Sequence, residues 1–223
     1  MKALNITALV LSLSFSGRAD IANDMAKAAH ALLASLKPAQ KNQVIFDFQS
    51  DTRTYWHFIP SEMLKGGSRK GLQIKHMTGE QRELTHALLR TVLSEKGHTK
   101  VRNIMFLEDI LHVLEGKKRR FVRDSEAYHI LIFGTPGNKG AWGWRFEGHH
   151  LSFNYTIVNG KVTVVPSFWG TNPAVCDFGP GRRLVALEVE EMAARKLRLS
   201  LSTKQTKAAV IANQAPRDIL TSA

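Results

Sequence analysis

The dipeptide Asn159-Gly160 constrains this chain more than any other pair in it. Both central positions of a two-residue type I′ turn need positive φ, which Asn and Gly tolerate, and the flanking runs alternate as half-buried strands do. Setting Val158 opposite Lys161 fixes every later pair. Leu151, Phe153, Tyr155 and Ile157 then meet Phe168, Pro166, Val164 and Val162 on one apolar face, while His150, Ser152, Asn154 and Thr156 meet Trp169, Ser167, Val165 and Thr163 on the other. Such a hairpin buries one side and shows the other. Pro166 has no N–H to give, which places its strand at a sheet edge or at a bulge.

The surrounding stretch, 133–170, holds three of the four Trp residues and the adjacent pair His149-His150. A regular strand sends the two histidines to opposite faces, so His149 or His150 serves as a metal ligand beside the other only if Gly148 bulges. His150 shares the polar face with Ser152, Asn154, Ser167 and Trp169, a groove in which it can act as a general base with Asn154 and the hydroxyls orienting a substrate. Arg145 and Glu147 pair along the rim. Trp142 and Trp144, beside Gly140 and Gly143, fit two roles, as core plugs or as rings that grip a sugar.

The remaining segments read mainly as helix. Residues 20–36 carry Met25, Ala29, Leu32 and Leu36 at helical spacing. Pro38 opens a second, short helix at a position where its missing N–H is harmless. Thr78 and Gln81 have capping-box spacing before a helix that Gly97 is expected to stop, and residues 101–115 form a third helix ending at Gly116. Glu108 and His112 lie on one face of it as a surface pair. Thr54–Pro60, TYWHFIP, alternates as a strand, with Tyr55, His57 and Ile59 on one face. Residues 128–134, YHILIFG, make a buried strand. Gly66, Gly67 and Gly71 mark a loop that exposes Arg69-Lys70. A helix is expected over 184–200, and Ser202 and Gln205 repeat the capping spacing. The S-L-x-x-x-Q echo at Ser35 and Ser200 is read as recurrent capping chemistry.

With 31 Lys and Arg against 19 Asp and Glu, the net charge of +12 draws the chain toward a polyanion or an anionic surface. No RRM, zinc-finger or Gly-rich clamp accompanies that charge, so nucleic acid is not the expected partner. The lone cysteine, Cys176, excludes an intrachain disulfide and a cysteine metal cluster. Residues 1–19 join one Lys, an apolar run and Gly17-Arg18-Ala19, the pattern of a cleaved export signal too short to span a membrane. The residues assign no cofactor.

Taken in order, WHFIP, RKGL, LEDIL, FGTPG, WGWRFEGHHLSFNYTIVNG, PSFWGTNPA and APRDILT resemble the family labelled domain of unknown function 3500. The resemblance covers most of the chain after residue 19. It implies an export signal, in agreement with 1–19, and a longer pattern with a second half, so residues 20–223 are read as one α+β domain, shortened against that pattern. It brings no catalytic residues. The fold expected is an antiparallel sheet with a central hairpin, covered on one face by amphipathic helices. Two functions follow. One is an exported domain that binds a carbohydrate or polyanion through Trp142, Trp144, Trp169, Arg145, Glu147, Ser152 and Ser167. The other is an exported hydrolase with His150, or His57 if the sheet brings it near, as general base.

Overall fold

The computed structural model describes residues 20–66, 69–118 and 120–215. The segment read as an export signal, Gly67 of the glycine loop, Arg119 of the basic run and all but the first residue of APRDILT lie outside them. In chain order the elements are α1 (Ile21–Ser35), α2 (Pro38–Val44), β1 (Ile45–Phe46), β2 (Leu72–Gln73), α3 (Gly79–Arg90), α4 (Glu95–Glu115), β3 (His129–Gly134), β4 (Ala141–Gly148), β5 (Leu151–Val158), β6 (Lys161–Trp169), β7 (Cys176–Asp177), β8 (Arg183–Leu184), α5 (Glu188–Ser200) and α6 (Thr203–Ala209). The main sheet runs β1-β3-β4-β5-β6, with β2 also on β3, and only the β1 to β3 pairing is parallel. This is the α+β architecture that the hairpin implied.

Asn159 and Gly160 take φ of 48° and 77°, and Val158 stands opposite Lys161. The predicted pairs hold as far as Tyr155 with Val164. There one strand gains a residue: Phe153 pairs with Ser167, so Val165 and Pro166 together oppose Asn154. β6 is both an edge strand and bulged, as Pro166 required. Because side chains alternate with a period of two, the bulge reverses the faces of everything beyond it. Ser167 and Trp169 therefore leave the polar face on which the unbroken register had put them. Trp169 lies 4.5 Å from the Phe153 ring, and Phe168 turns to the other side to stack on Phe58 at 4.0 Å.

The helices cover the apolar face. Trp142, Trp144 and Phe146 of β4, Ile130 and Ile132 of β3, and Leu151, Phe153 and Ile157 of β5 form one core with Met25, Ala29 and Leu32 of α1 and Val101, Ile104 and Leu107 of α4. Trp144 stacks on Tyr155 at 4.4 Å and donates its indole N–H to Met25 Sδ at 3.3 Å. Each buried Leu, Ile, Val, Phe or Met side chain there contributes about 1.5–3 kcal/mol by leaving water. Trp142 and Trp144 are fully buried, which assigns them to the core.

The opposite face is not open to solvent. Leu131, Phe133, Arg145, Glu147, Ser152 and Asn154 project from it and are all buried, beneath the chain between β1 and β2. TYWHFIP belongs to that covering segment and forms no strand. Its backbone groups are satisfied by side chains instead: the His57 N–H donates to Glu147 Oε2, while the carbonyls of Tyr55, His57 and Ile59 accept from Arg145 and Arg69. β1 and β2 already occupy the free edge of β3, which leaves no ladder for it to join.

Four further expectations change. Gly97 does not stop a helix. α3 ends at Arg90, and Gly97 lies in the first turn of α4, donating its N–H to the Ser94 cap at 3.1 Å. Arg69 is buried rather than exposed, and Glu108 is buried rather than part of a surface pair with His112. Residues 183–184 form β8, so the helix expected from 184 begins at Glu188. The capping reading of the echo is upheld, since Gln40, Gln81 and Gln205 each accept from the N–H of a helix cap. Gln40 and Gln81 also bond to each other at 2.9 Å, tying the start of α2 to that of α3.

Candidate functional site

His149 and His150 are the two central residues of the tight turn from β4 to β5. Register is unbroken to the pair Gly148 with Leu151, so Gly148 does not bulge. A Cβ on Gly148 would stand 2.4 Å from the Tyr128 ring, which fixes glycine there. Neither histidine lies on a strand, and strand alternation therefore does not separate them: their rings lie 3.8 Å apart at 30°. His150, with φ of 64°, donates its N–H to Phe58 O and accepts at its carbonyl from Gly170 N. Its Nε2 is buried without a partner. Burial, then His149 and Arg123, brings its pKa down to about 3, so it is neutral at ordinary pH.

His149 is the histidine with a carboxylate. Its Nδ1 lies 2.6 Å from Oε1 of Glu108 on α4. Glu108 Oε2 meets Arg123 Nη1 at 3.4 Å, and that guanidinium is held by Glu115 through two bonds of 3.0 and 2.7 Å. Arg123 Nη1 also stands 3.3 Å from His149 Nδ1, and the Tyr128 hydroxyl donates to His149 O at 2.8 Å. Among the described residues no group of three or more His, Cys, Asp or Glu side chains is placed to hold a metal ion.

Under the covering segment two arginines face one carboxylate. Glu147 lies 3.9 Å from Arg69 Nε and 3.7 Å from Arg145 Nε. Burial raises the Glu147 pKa, and Arg145 and Arg69 pull the other way. Arg145 donates to Asn154 Oδ1, Tyr55 O and Arg53 O, and Arg69 to Ser61 Oγ and the carbonyls of His57, Ile59 and Gly148. Asn154 in turn donates to Ser152 Oγ and Pro166 O. Arg145 and Glu147 thus clamp the covering segment to the sheet, braced by Asn154 and Ser152. The pairing of Arg145 with Glu147 is present, in the interior rather than at a rim.

Two cavities flank Arg69. The first, about 430 Å³, is lined by His57, Tyr55, Arg145, Glu147, Arg69 and the rim lysines Lys65 and Lys70, among others. His57 Nε2 and Arg69 Nε are both buried and make no hydrogen bond. Burial, then Arg69 and Arg145, holds the His57 pKa below its ordinary value. The second, about 240 Å³, is lined by His149, Glu108, Tyr128, Arg69, Glu62 and Asp124, with smaller contributions around them. Of the residues singled out in the sequence, His57, Arg145 and Glu147 come together at the first cavity, with Ser152 and Asn154 bonded to its walls. Ser167, Trp142, Trp144 and Trp169 lie on the helix side. Arg69, Glu108 and Tyr128 were missed as site residues. Their signals were a lone Arg-Lys in a glycine loop, an i,i+4 Glu and His, and an aromatic residue at the head of a strand, each of which has a commoner bland meaning.

A protein-family profile described as "Protein of unknown function (DUF3500)" matches residues 18–223. No curated protein and no solved structure matches the chain.

Proposed function

Since this chain belongs to the family described as Protein of unknown function (DUF3500), we propose on its own geometry that it binds a small anion, a carboxylate or phosphate compound, in the first cavity. The observation that carries this reading is the pair of buried nitrogens that make no hydrogen bond, His57 Nε2 and Arg69 Nε, on residues lining one cavity. A buried donor left unpaired costs about 1–3 kcal/mol, so a ligand oxygen that accepts from either nitrogen offsets that cost. Lys65 and Lys70 add exposed ammonium groups at the mouth, where steering is strongest. An anion suits this cavity better than a sugar, because Trp142 and Trp144 are core residues and Trp169 is on the far face. Binding suits it better than hydrolysis by His57, because among the described residues no hydroxyl, thiol or carboxylate hydrogen-bonds the His57 ring. Residues 1–19, with their apolar run and small residues before Asp20, support a site of action outside the cytoplasm. No helix of the described residues is long and apolar enough to cross a membrane.

Thermal melts of the chain against phosphate, citrate, succinate and neutral sugars test the reading. A ligand at a hundred times its Kd stabilises by about 2.7 kcal/mol, a rise in midpoint of roughly 5–10 °C for a chain of this size. The rise is expected with an anion, smaller at high salt, and absent in His57→Ala. If no anion raises the midpoint, or if His57→Ala responds as the parent does, the reading fails.

A further inference from the structure

We propose that Glu108 and His149 form a general-base dyad at the second cavity, and that it hydrolyses small uncharged carboxylic esters. The short contact between Glu108 Oε1 and His149 Nδ1, 2.6 Å, requires a proton between them. With Arg123 beside the carboxylate, the ionised Glu108 accepts and His149 Nδ1 donates, so Arg123 Nη1 serves Glu108 Oε2 and not the ring. That arrangement leaves the lone pair of the ring on Nε2, the nitrogen a base needs. The ring cannot turn freely. It packs on His150 at 3.8 Å, its own carbonyl is held by the Tyr128 hydroxyl, and Glu108 is fixed on a 21-residue helix and braced by Arg123. Its side chain retains 15% exposure while that of Glu108 has 4%, so the base is reachable and its orienting group is not.

The cavity wall restricts the substrate. Glu62, Asp124 and Glu108 on the wall are balanced by Arg69 together with Arg123 and Lys75 behind it, so the cavity favours no anionic ester. Glu62 already accepts from Val122 N–H and Asp124 is paired with Lys75, which leaves no strong site for a cation either. In the reaction a water oxygen bonds to the acyl carbon as His149 Nε2 takes the water's proton. The imidazolium, steadied by Glu108, then returns that proton to the alkoxide oxygen as the C–O bond breaks, and acid and alcohol leave. No other reactant is needed.

The probe is p-nitrophenyl acetate, with release of nitrophenol followed across pH on the full chain. Saturable turnover is expected, with kcat/KM reduced about 100-fold in His149→Asn, the low end of what a positioned base supplies. Glu108→Gln separates positioning from structure. Loss of the carboxylate leaves the ring without its orienting acceptor, so kcat falls while KM is kept, a split that a purely structural role does not cause. A thermal melt confirms that each variant is folded, and His149→Gln replaces any that is not. Anion stabilisation is read from the melts with phosphate and turnover from nitrophenol release, so the two cavities fail or stand separately. Absence of turnover in the parent chain, or undiminished turnover in both folded His149 variants, overturns the proposal.

Discussion

Burial sets the protonation of single residues here more than their charged neighbours do. Glu147 stands beside two guanidiniums, yet its pKa is raised, because losing water outweighs both attractions. A carboxyl whose folded pKa is raised adds stability at low pH and loses it as pH climbs through that value. The histidines run the other way and outnumber it. His86 and His129 are held to about 4 and His150 to about 3, each first by burial, and His57 and His98 move in the same direction. A group whose folded pKa is depressed contributes stability above its unfolded value, near 6.5 for histidine, and loses it as pH falls toward the folded value. Between pH 6 and 4.5 unfolding should therefore take up about two protons net of Glu147, a loss of roughly 2–3 kcal/mol per pH unit. Urea denaturation at pH 7, 6, 5 and 4.5 measures this slope. A stability that stays level from pH 7 to 5 would contradict it.

At the scale of elements the bulge in β6 decides which residues meet. Pro166 made an edge or a bulge legible from the sequence, and the register from the Asn159-Gly160 turn was legible as far as Val164, because turn chemistry fixes pairs nearby. Which side would gain the extra residue was not legible, and that single residue sends Phe168 to Phe58 and Trp169 to Phe153. His149 and His150 were misread for a similar reason. Alternation applies on strands, and nothing in Gly148 announces that the strand ends there against the Tyr128 ring. TYWHFIP had the right alternation for an extended segment, but its partners are side chains from distant parts of the chain. The helix starts, by contrast, depend on residues three apart and were read correctly at Thr78 and Ser202. A double-mutant cycle tests the bulged register. Phe58→Ala and Phe168→Ala should couple by about 0.5–1.5 kcal/mol, the range for stacked aromatic pairs. In the unbulged register the two rings lie on opposite sides of the sheet, and a coupling near zero would restore it.

Across the whole molecule, both faces of the sheet are covered, one by α1, α3 and α4 and the other by the chain between β1 and β2. The C-terminal helices belong to neither cover. No residue of α5 or α6 is buried, and Val189, Met192, Leu197 and Leu199 are 74%, 57%, 64% and 82% exposed. Among the described residues the last buried one of the core is Ala186, with Leu187 packed partly against it. Among the described residues α5 is tied to the rest by the ion pair of Glu190 with Lys100, a surface contact worth about 0–1 kcal/mol. A chain ending at Leu187 should accordingly keep a cooperative melt. For a domain of this size 1 kcal/mol corresponds to about 2–4 °C, so its midpoint should fall by no more than that. It should also retain anion stabilisation, since every residue of the first cavity precedes Leu187. A broad or absent transition in the shortened chain would mean that α5 and α6 supply stability that their exposure does not account for.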